Sequence, residues 1–567
     1  MSVKKRLLDE ISKSDPVLSD YLKDNYDNFT LAGYVNHLSK INGNAVALCH
    51  DDKNGVRREF TYQDLDLLSN KMANYLIKKG VKKGDVVALV LRNNYHFYIV
   101  SLALQKLGAI TLSLQCLNKR KQYKSIFKKC NPKCLIADDY EIVVDSKTNE
   151  KAYVLNELDC ACSGNEIKLC TYPKTSYSNN WGNLDDFEKE SDQFESEKVS
   201  IHDLGYLFST SGTTGEPKVV MHNYSFALSH FITGQWYGVE KGKKHYTLSG
   251  SGWGMGTWNM CAVLLHQGTA YINDYDRFNA ADVINKIRDE KISTLCAPRA
   301  TLVRLFDYLE HDNKKEKLKL KSVSSAGEVV DDVTREKCLE HFGVYPSEGY
   351  GMTELSLAYY DKAEGTRVNS PLYSEIKLEK DPKYEGKEIV IKGGRIGLFA
   401  GYLDYLKDSK CVLRRPQINK GEFIWHTGDE GHLDDLGNVH CDGRMGNTVK
   451  VNDKLVNMGE VEAVLLSHES VKKCVVSSRK HEKDGAEIVA RVELNDNCNL
   501  DDDEMKRELQ SYVKGILPNH YRPKTIIFGE LAETCSGKTK RIYDTPDNNS
   551  NNSNNSNKRL VLVKRAA

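Results

Sequence analysis

Short apolar runs alternate with helix-length segments through most of the first 330 residues, and this rhythm constrains the fold more than any other feature of the chain. Val86–Leu91, Ala109–Leu114 and Cys134–Ala137 have the length and unbroken apolar character of strands buried on both faces. Ahead of them, Thr61-Tyr62-Gln63-Asp64 reads as a helix start, with Leu65, Leu68, Met72, Tyr75 and Leu76 on one stripe and Gly80 at the stop. The pattern returns at Tyr246–Leu248, Thr269–Ile272, Thr294–Cys296 and Ser322–Ser325, with a helix expected over Ala280–Lys291. Strands separated by helices favour parallel pairing, because the helix carries the chain back across the sheet. The chain is therefore predicted to be α/β, with two doubly wound α/β subdomains.

From Arg367 to His440 the rhythm gives way to short strands between Gly, Asp and Asn turns, such as Glu388–Ile391 and Gly421–Trp425, which predicts a β-rich subdomain. After Gly443, helices near Glu460–Ser467 and Asp501–Lys514 predict a small α+β domain of about 100 residues. The expected organisation is a large N-terminal domain over 1–443, a small C-terminal domain over 444–545 and a tail over 546–567. In that tail Asn548–Asn557 offers no apolar side chain to bury, so disorder is expected there. The acidic stretch Asp185–Glu197 reads as a surface loop.

Composition narrows the function classes. A chain of 567 residues with 80 Lys+Arg against 79 Asp+Glu carries a net charge of +1, which gives no overall basic field to hold nucleic acid or an anionic membrane. No apolar run approaches the ~18 residues of a spanning helix. Residues Met1–Asp24 mix lysines with Asp9, Glu10, Asp15 and Asp20 and lack an apolar stretch, so a cytoplasmic location is expected. Fifteen cysteines, an odd number scattered from Cys49 to Cys535, fit reduced thiols better than a disulfide framework.

The sharpest chemical signal is S-T-S-G-T-T-G-E-P-K, Ser209 to Lys218, placed directly after the apolar Leu204–Phe208. A strand that runs into such a loop can present hydroxyls and backbone N–H groups to phosphate oxygens, with Lys218 adding charge. It is not a Walker A loop, because the Gly-Lys-Ser/Thr ending is missing.

This segment resembles the phosphate-binding signature of the AMP-forming adenylate-forming superfamily, which includes acyl-CoA synthetases, carrier-protein adenylation domains and luciferases. Tyr350-Gly351-Met352-Thr353-Glu354 resembles the family's aromatic-Gly-x-Thr-Glu motif, and Trp425-His426-Thr427-Gly428-Asp429 its Thr-Gly-Asp motif. Gly443-Arg444 resembles the opening of its hinge motif, and Ser536-Gly537-Lys538 stands where the family keeps its C-terminal lysine. These occur in the family's order over residues 206–541. Gly252-Trp253, Asp276-Arg277-Phe278 and Ala297-Pro298 through Arg304 are similar to the medium-chain acyl-CoA synthetase branch.

The resemblance implies an ATP-dependent acid–thiol ligase that uses Mg²⁺ and CoA, with a medium-chain fatty or aromatic acid as substrate, and a small domain that moves. Ser209, Thr210, Ser211, Gly212, Thr213, Thr214 and Lys218 would hold the β- and γ-phosphates. Thr353 would touch the α-phosphate, Glu354 would bind Mg²⁺ and Lys538 would meet the carboxylate and α-phosphate. Gly327, Glu328, Glu348 and Tyr350 would form the adenine slot, with Asp429 on the ribose diol and Arg444 reaching the nucleotide. Trp253 and Gly351 would line the acyl pocket, which the family's acetate-specific members fill with a tryptophan at the position of Gly351.

The chain also departs from the family. Gly446 and Asn447 stand where the hinge carries two aspartates, and Asp453 and Leu455 stand where the CoA tunnel has a glycine and a basic residue. An acid in a thiol tunnel adds bulk and repels a thiolate. Three readings therefore remain: an acyl-CoA synthetase, an adenylate-forming enzyme with a non-CoA acceptor such as a carrier protein, and a catalytically inactive nucleotide-binding regulator.

Overall fold

A computed structural model describes residues 2–52, 54–116, 118, 120–145, 150–210, 217–274, 278–312, 317–327, 330–362, 365–407, 410–414, 417–419, 422–451, 454–481, 485–495 and 500–531. Lys538, Asp453, Glu328, residues 211–216 and the Asn/Ser tail lie outside them. Contacts divide the chain into two units, residues 1–376 with 391–425, and residues 377–390 with 426–567. The division falls upstream of the boundary expected after Gly443, with 377–390 on the C-terminal side.

Local signals set the first helices. Thr61 caps the helix Tyr62–Lys79 by accepting from the Asp64 backbone N–H while Asp64 answers to the Thr61 N–H, and Gly80 ends it at φ +100°, a conformation a side chain would disfavour. Leu65, Met72, Tyr75 and Leu76 are buried on its inner stripe.

Two nine-stranded sheets make up the first unit. In one, Pro346–Met352, Ser322–Ala326, Thr294–Cys296, Lys244–Thr247, Thr269–Asn273 and Val46–Asp51 lie parallel in that order. In the other, Leu204–Thr210, Ile110–Ser113, Val86–Val90, Cys134–Asp138, Ile167–Thr171 and Gly182–Asn183 are parallel. Each sheet has its own apolar core, one built around Leu112, Leu135 and Leu207, the other around Tyr271, Leu295 and Phe306.

The sheets meet where their parallel strands end. Asn93, just past Val86–Val90, donates to the Ser249 carbonyl at 3.1 Å and accepts from the Ser251 N–H at 2.7 Å. Arg92 lies 3.3 Å from Asp274 at the end of Thr269–Asn273. At Gly252 an added Cβ would fall 2.3 Å from the Leu114 carbonyl oxygen, so glycine before Trp253 answers a close approach of the two sheets.

Over Asp185–Glu197, expected as a surface loop, residues 190–197 are irregular and exposed or half-buried, and a short turn, Leu184–Lys189, anchors the start. Leu184, just before the stretch, and Phe187 within it are fully buried, and Asp185 pairs with buried His96 at 2.7 Å.

The second unit contains a three-stranded sheet, Val471–His481, Gly485–Leu494 and Thr525–Phe528, with helices Met458–Leu466 and Asp502–Ile516. Their inward residues, Val461, Leu465, Met505 and Leu509 among them, form one core with the sheet. In the same unit, residues 429–433 pair antiparallel with Val439–Arg444. The described cysteines are free thiols, and among the described residues no helix is long and apolar enough to cross a membrane.

Of the buried histidines described in the first unit, four have their basicity lowered by burial. Burial pushes His50 and His222 down to about 4, His245 to about 3, and His230 well below the usual value. Below pH ~6.5 the unfolded chain takes up protons that these folded rings refuse, so stability falls as pH falls. His50 and His222 should each cost roughly 3 kcal/mol by pH 4. Melting temperature followed from pH 8 to 4 should drop steeply below pH ~6.5; a flat profile would contradict neutral burial of these rings.

Candidate active site

The loop that carries most of the phosphate signature is a hairpin connection. Leu204–Thr210 and Lys218–Asn223 are antiparallel, with Ser209 opposite Val219 and Thr210 opposite Lys218. The hairpin thus sets Ser209, Thr210 and exposed Lys218 at one end, while Ser211, Gly212, Thr213 and Thr214 lie outside the described residues. Buried Lys129 donates to the Pro217 carbonyl at 2.6 Å and adds positive charge beside the loop's exit.

The second motif is carried to the same place. Pro346–Met352 turns at Thr353 and Glu354 into the antiparallel strand Leu355–Asp361. His222, four residues past Lys218, is buried with Nε2 2.6 Å from the Thr353 carbonyl oxygen. A carbonyl only accepts, so Nε2 carries the proton. The Glu354 carbonyl accepts from the Phe399 N–H at 2.9 Å, and the Tyr402 hydroxyl donates to the Glu354 carboxylate at 2.6 Å. Trp425 packs edge-on against Phe399 with ring centroids 4.7 Å apart and bonds Met352 Sδ through its indole N–H.

Three of the residues expected to form an adenine slot, Gly327, Glu348 and Tyr350, lie on or next to two paired strands, while Glu328 is outside the described residues. Ser325 pairs with Glu348 and Ala326 with Gly349, so Gly327 follows the end of its strand beside the point where Pro346–Met352 runs through Tyr350. Tyr350 stacks on Tyr359 at 5.0 Å, and the Arg367 guanidinium lies 3.9 Å from the Tyr359 ring centre. The Glu348 carboxylate accepts from the Val330 N–H at 3.2 Å, and burial raises its pKa.

Within the second unit, register puts Asp429 opposite Arg444, and Asp429 Oδ1 is 3.2 Å from the guanidinium. Arg444 also donates to the Thr427 carbonyl, and Glu388 holds the turn between them by accepting from the Gly428 N–H at 2.8 Å. Asn447 N–H donates to the Arg444 carbonyl at 3.0 Å, a tight turn with Gly446 at φ +89°. Asn447 is buried, so this turn holds an amide where the family keeps a carboxylate. Strands Thr448–Val451 and Lys454–Asn457 flank Asp453, itself outside the described residues.

The acyl-pocket residues are less closely joined. Part-buried Trp253 precedes the helix Gly254–Leu265, with its N–H on the Gly250 carbonyl at 3.1 Å. A Cβ at Gly351 would lie 3.1 Å from the Ser356 carbonyl oxygen, a tight contact that a side chain could take only if the neighbouring strand gave by a few tenths of an ångström. His222, Tyr402 and Glu388 escaped the sequence reading. His222 had a signal in its nearness to the phosphate segment, whereas Tyr402 and Glu388 are brought in by pairing of distant strands.

With this geometry in place, comparison with known proteins is direct. The family model described as AMP-binding enzyme matches residues 38–403, and that for the AMP-binding enzyme C-terminal domain matches residues 460–538. The chain belongs to the AMP-binding enzyme family. It is 27% identical to the uncharacterized acyl–CoA ligase YtcI of Bacillus subtilis (strain 168), over 90% of this chain and 94% of that protein. It is 26% identical to the mitochondrial acyl-coenzyme A synthetase ACSM3 of Rattus norvegicus, over 86% of this chain and 84% of that protein. The crystal structure of the anthranilate CoA ligase AuaEII in complex with anthranoyl-AMP aligns with a TM-score of 0.73 at 20% identity, over 90% of this chain and 96% of that one. The fold is therefore that of adenylate-forming enzymes, with a large N-terminal and a smaller C-terminal domain. Family and relatives place the protein among AMP-forming acid–thiol ligases.

If His222 positions Thr353, removing its donor should slow adenylation without abolishing nucleotide binding. His222→Leu is expected to lower kcat for acid-dependent ATP–pyrophosphate exchange about tenfold or more, with KM for ATP nearly unchanged, and His222→Gln should recover part of the loss. Equal rates in the Leu variant and the wild type would remove His222 from the site.

Proposed function

We propose that this AMP-forming acyl-CoA synthetase activates a medium-chain fatty or aromatic acid. One carboxylate oxygen attacks the α-phosphorus of ATP, the bond to the β-phosphate oxygen breaks, and pyrophosphate leaves. The CoA thiolate then attacks the adenylate carbonyl, AMP leaves, and the thioester remains. Most of the work in the first step is neutralising and aligning phosphate charge.

Each part of that work has a residue suited to it. Ser209, Thr210 and Lys218, with the loop between them, supply hydroxyls, N–H groups and an ammonium for the β- and γ-phosphates. Thr353 offers its hydroxyl to the α-phosphate. Glu354 suits Mg²⁺, because Tyr402 occupies one carboxylate oxygen and the other has no hydrogen-bond partner among the described residues. When bound, the cation would draw charge from the phosphate oxygens. Asp429 supplies acceptors for a ribose diol beside the Arg444 guanidinium, Tyr350 offers a face to adenine, and Lys538 supplies the charge for the carboxylate and α-phosphate. The single observation that supports the reading best is the convergence of Lys218 and Glu354 on Tyr402.

A second reading, with an acceptor other than CoA, is favoured by the hinge. Gly446 and buried Asn447 replace two carboxylates there, and Asp453 follows.

The test is AMP release with and without CoA across acetate, butyrate, octanoate, palmitate and benzoate. Octanoate or benzoate should be the best substrate, with release strongly dependent on CoA. Lys538→Ala should lose at least about a hundredfold in adenylation while thioester formation from supplied acyl-adenylate stays within a few fold. Acid-dependent pyrophosphate exchange without thioester formation would favour the second reading, and equal losses in the two half-reactions would contradict the role of Lys538.

A further inference from the structure

Tyr402 belongs to none of the motifs that define the site, yet two of the site's charged groups meet on it. It lies on Gly401–Lys407, antiparallel to Lys218–Asn223, with Tyr402 opposite Val220. Side chains alternate along a strand, so Lys218 shares a face with Val220 and is a diagonal neighbour of Tyr402. The Lys218 ammonium accordingly stands 5.2 Å from the Tyr402 ring centre, and the hydroxyl at the other end of the ring donates to Glu354 Oε1 at 2.6 Å. No ion pair joins Lys218 to Glu354 among the described residues. Phe399 and Trp425 pack against the ring with centroids 5.0 and 6.1 Å away and fix its plane.

Resting on the adenylating role proposed above, we infer that Tyr402 is a positioning residue. It orients the Glu354 carboxylate so that one oxygen is kept for a divalent cation, and it holds Lys218 apart so that the two opposite charges do not neutralise each other before MgATP arrives. A short O–H···O⁻ bond to an ionised carboxylate is strong enough to fix its rotation, while a carboxylate freed from it would turn and could take Lys218 as a partner. A cation lying over a ring face is held weakly and can be given up to phosphate.

The discriminating readout is binding rather than turnover. Tyr402→Phe keeps the ring and loses only the hydroxyl. ATP binding measured calorimetrically across a Mg²⁺ titration should need about tenfold more Mg²⁺ for half-effect in this variant, with ATP affinity at saturating Mg²⁺ close to wild type. Unchanged Mg²⁺ dependence, or a uniform loss of ATP affinity at every Mg²⁺ concentration, would overturn the inference. Should the variant not fold, 3-fluorotyrosine at position 402 in otherwise wild-type protein carries the test. Its fluorine resonance should move when Mg²⁺ is added to the ATP-bound protein, and should not move in Glu354→Gln; a resonance indifferent to Mg²⁺ overturns the inference. Wild-type protein that binds no MgATP contradicts the proposed function itself, whereas normal wild-type binding with an indifferent Tyr402 contradicts only the role of this residue.

Discussion

The hydrogen bond from the His222 ring to the Thr353 carbonyl ties together the two hairpins that carry the Ser209–Lys218 and Tyr350–Glu354 motifs. His222 stands on the strand that leaves the phosphate hairpin, in one sheet, and Thr353 follows the last parallel strand of the other. Ligands in open α/β sheets gather beyond the carboxyl ends of the strands, and here two sets of carboxyl ends are held against each other. The bond is short, dry and made to a backbone oxygen, so it fixes the path of the chain through Thr353 and leaves that residue's hydroxyl available. Its cost is a histidine kept neutral by burial, which links the integrity of the site to pH.

Around that bond, charge is arranged but not cancelled. Lys218 is exposed and Glu354 part-buried, with the Tyr402 ring between them. Lys129, buried beneath the Pro217 carbonyl, adds a cation that water screens little. Preorganised charge of this kind suits a reaction in which phosphate oxygens must be held while an acyl oxygen forms a bond to phosphorus. In the second unit Asp429 and Arg444 form a separate ion pair, with the Glu388 carboxylate holding the glycine turn beside it.

Much of the fold could be read from local patterns. The helix Tyr62–Lys79 was legible because its capping box, apolar stripe and terminal glycine are all local. The parallel strands at 86, 110 and 134 were legible as short apolar runs, and those at 269, 294 and 322 by their place between helix-length segments. Asp185–Glu197 was legible as a surface segment from its charges, but the anchoring of its start by Leu184 and Phe187 was not. In the site, Ser209, Lys218, Thr353 and Glu354 stood in motifs, but Tyr402 depends on the register between Gly401–Lys407 and Lys218–Asn223, two strands far apart in sequence.

The central claim is that the seam between the two sheets joins a carboxylic acid to AMP. Pyrophosphate exchange into ATP, measured without CoA in the presence and absence of acid, tests it most directly because it needs only the first half-reaction. The account predicts exchange that depends on added acid and is lost in Glu354→Gln. Binding of MgATP with no exchange for any acid would contradict it and leave a nucleotide-binding protein that does not adenylate.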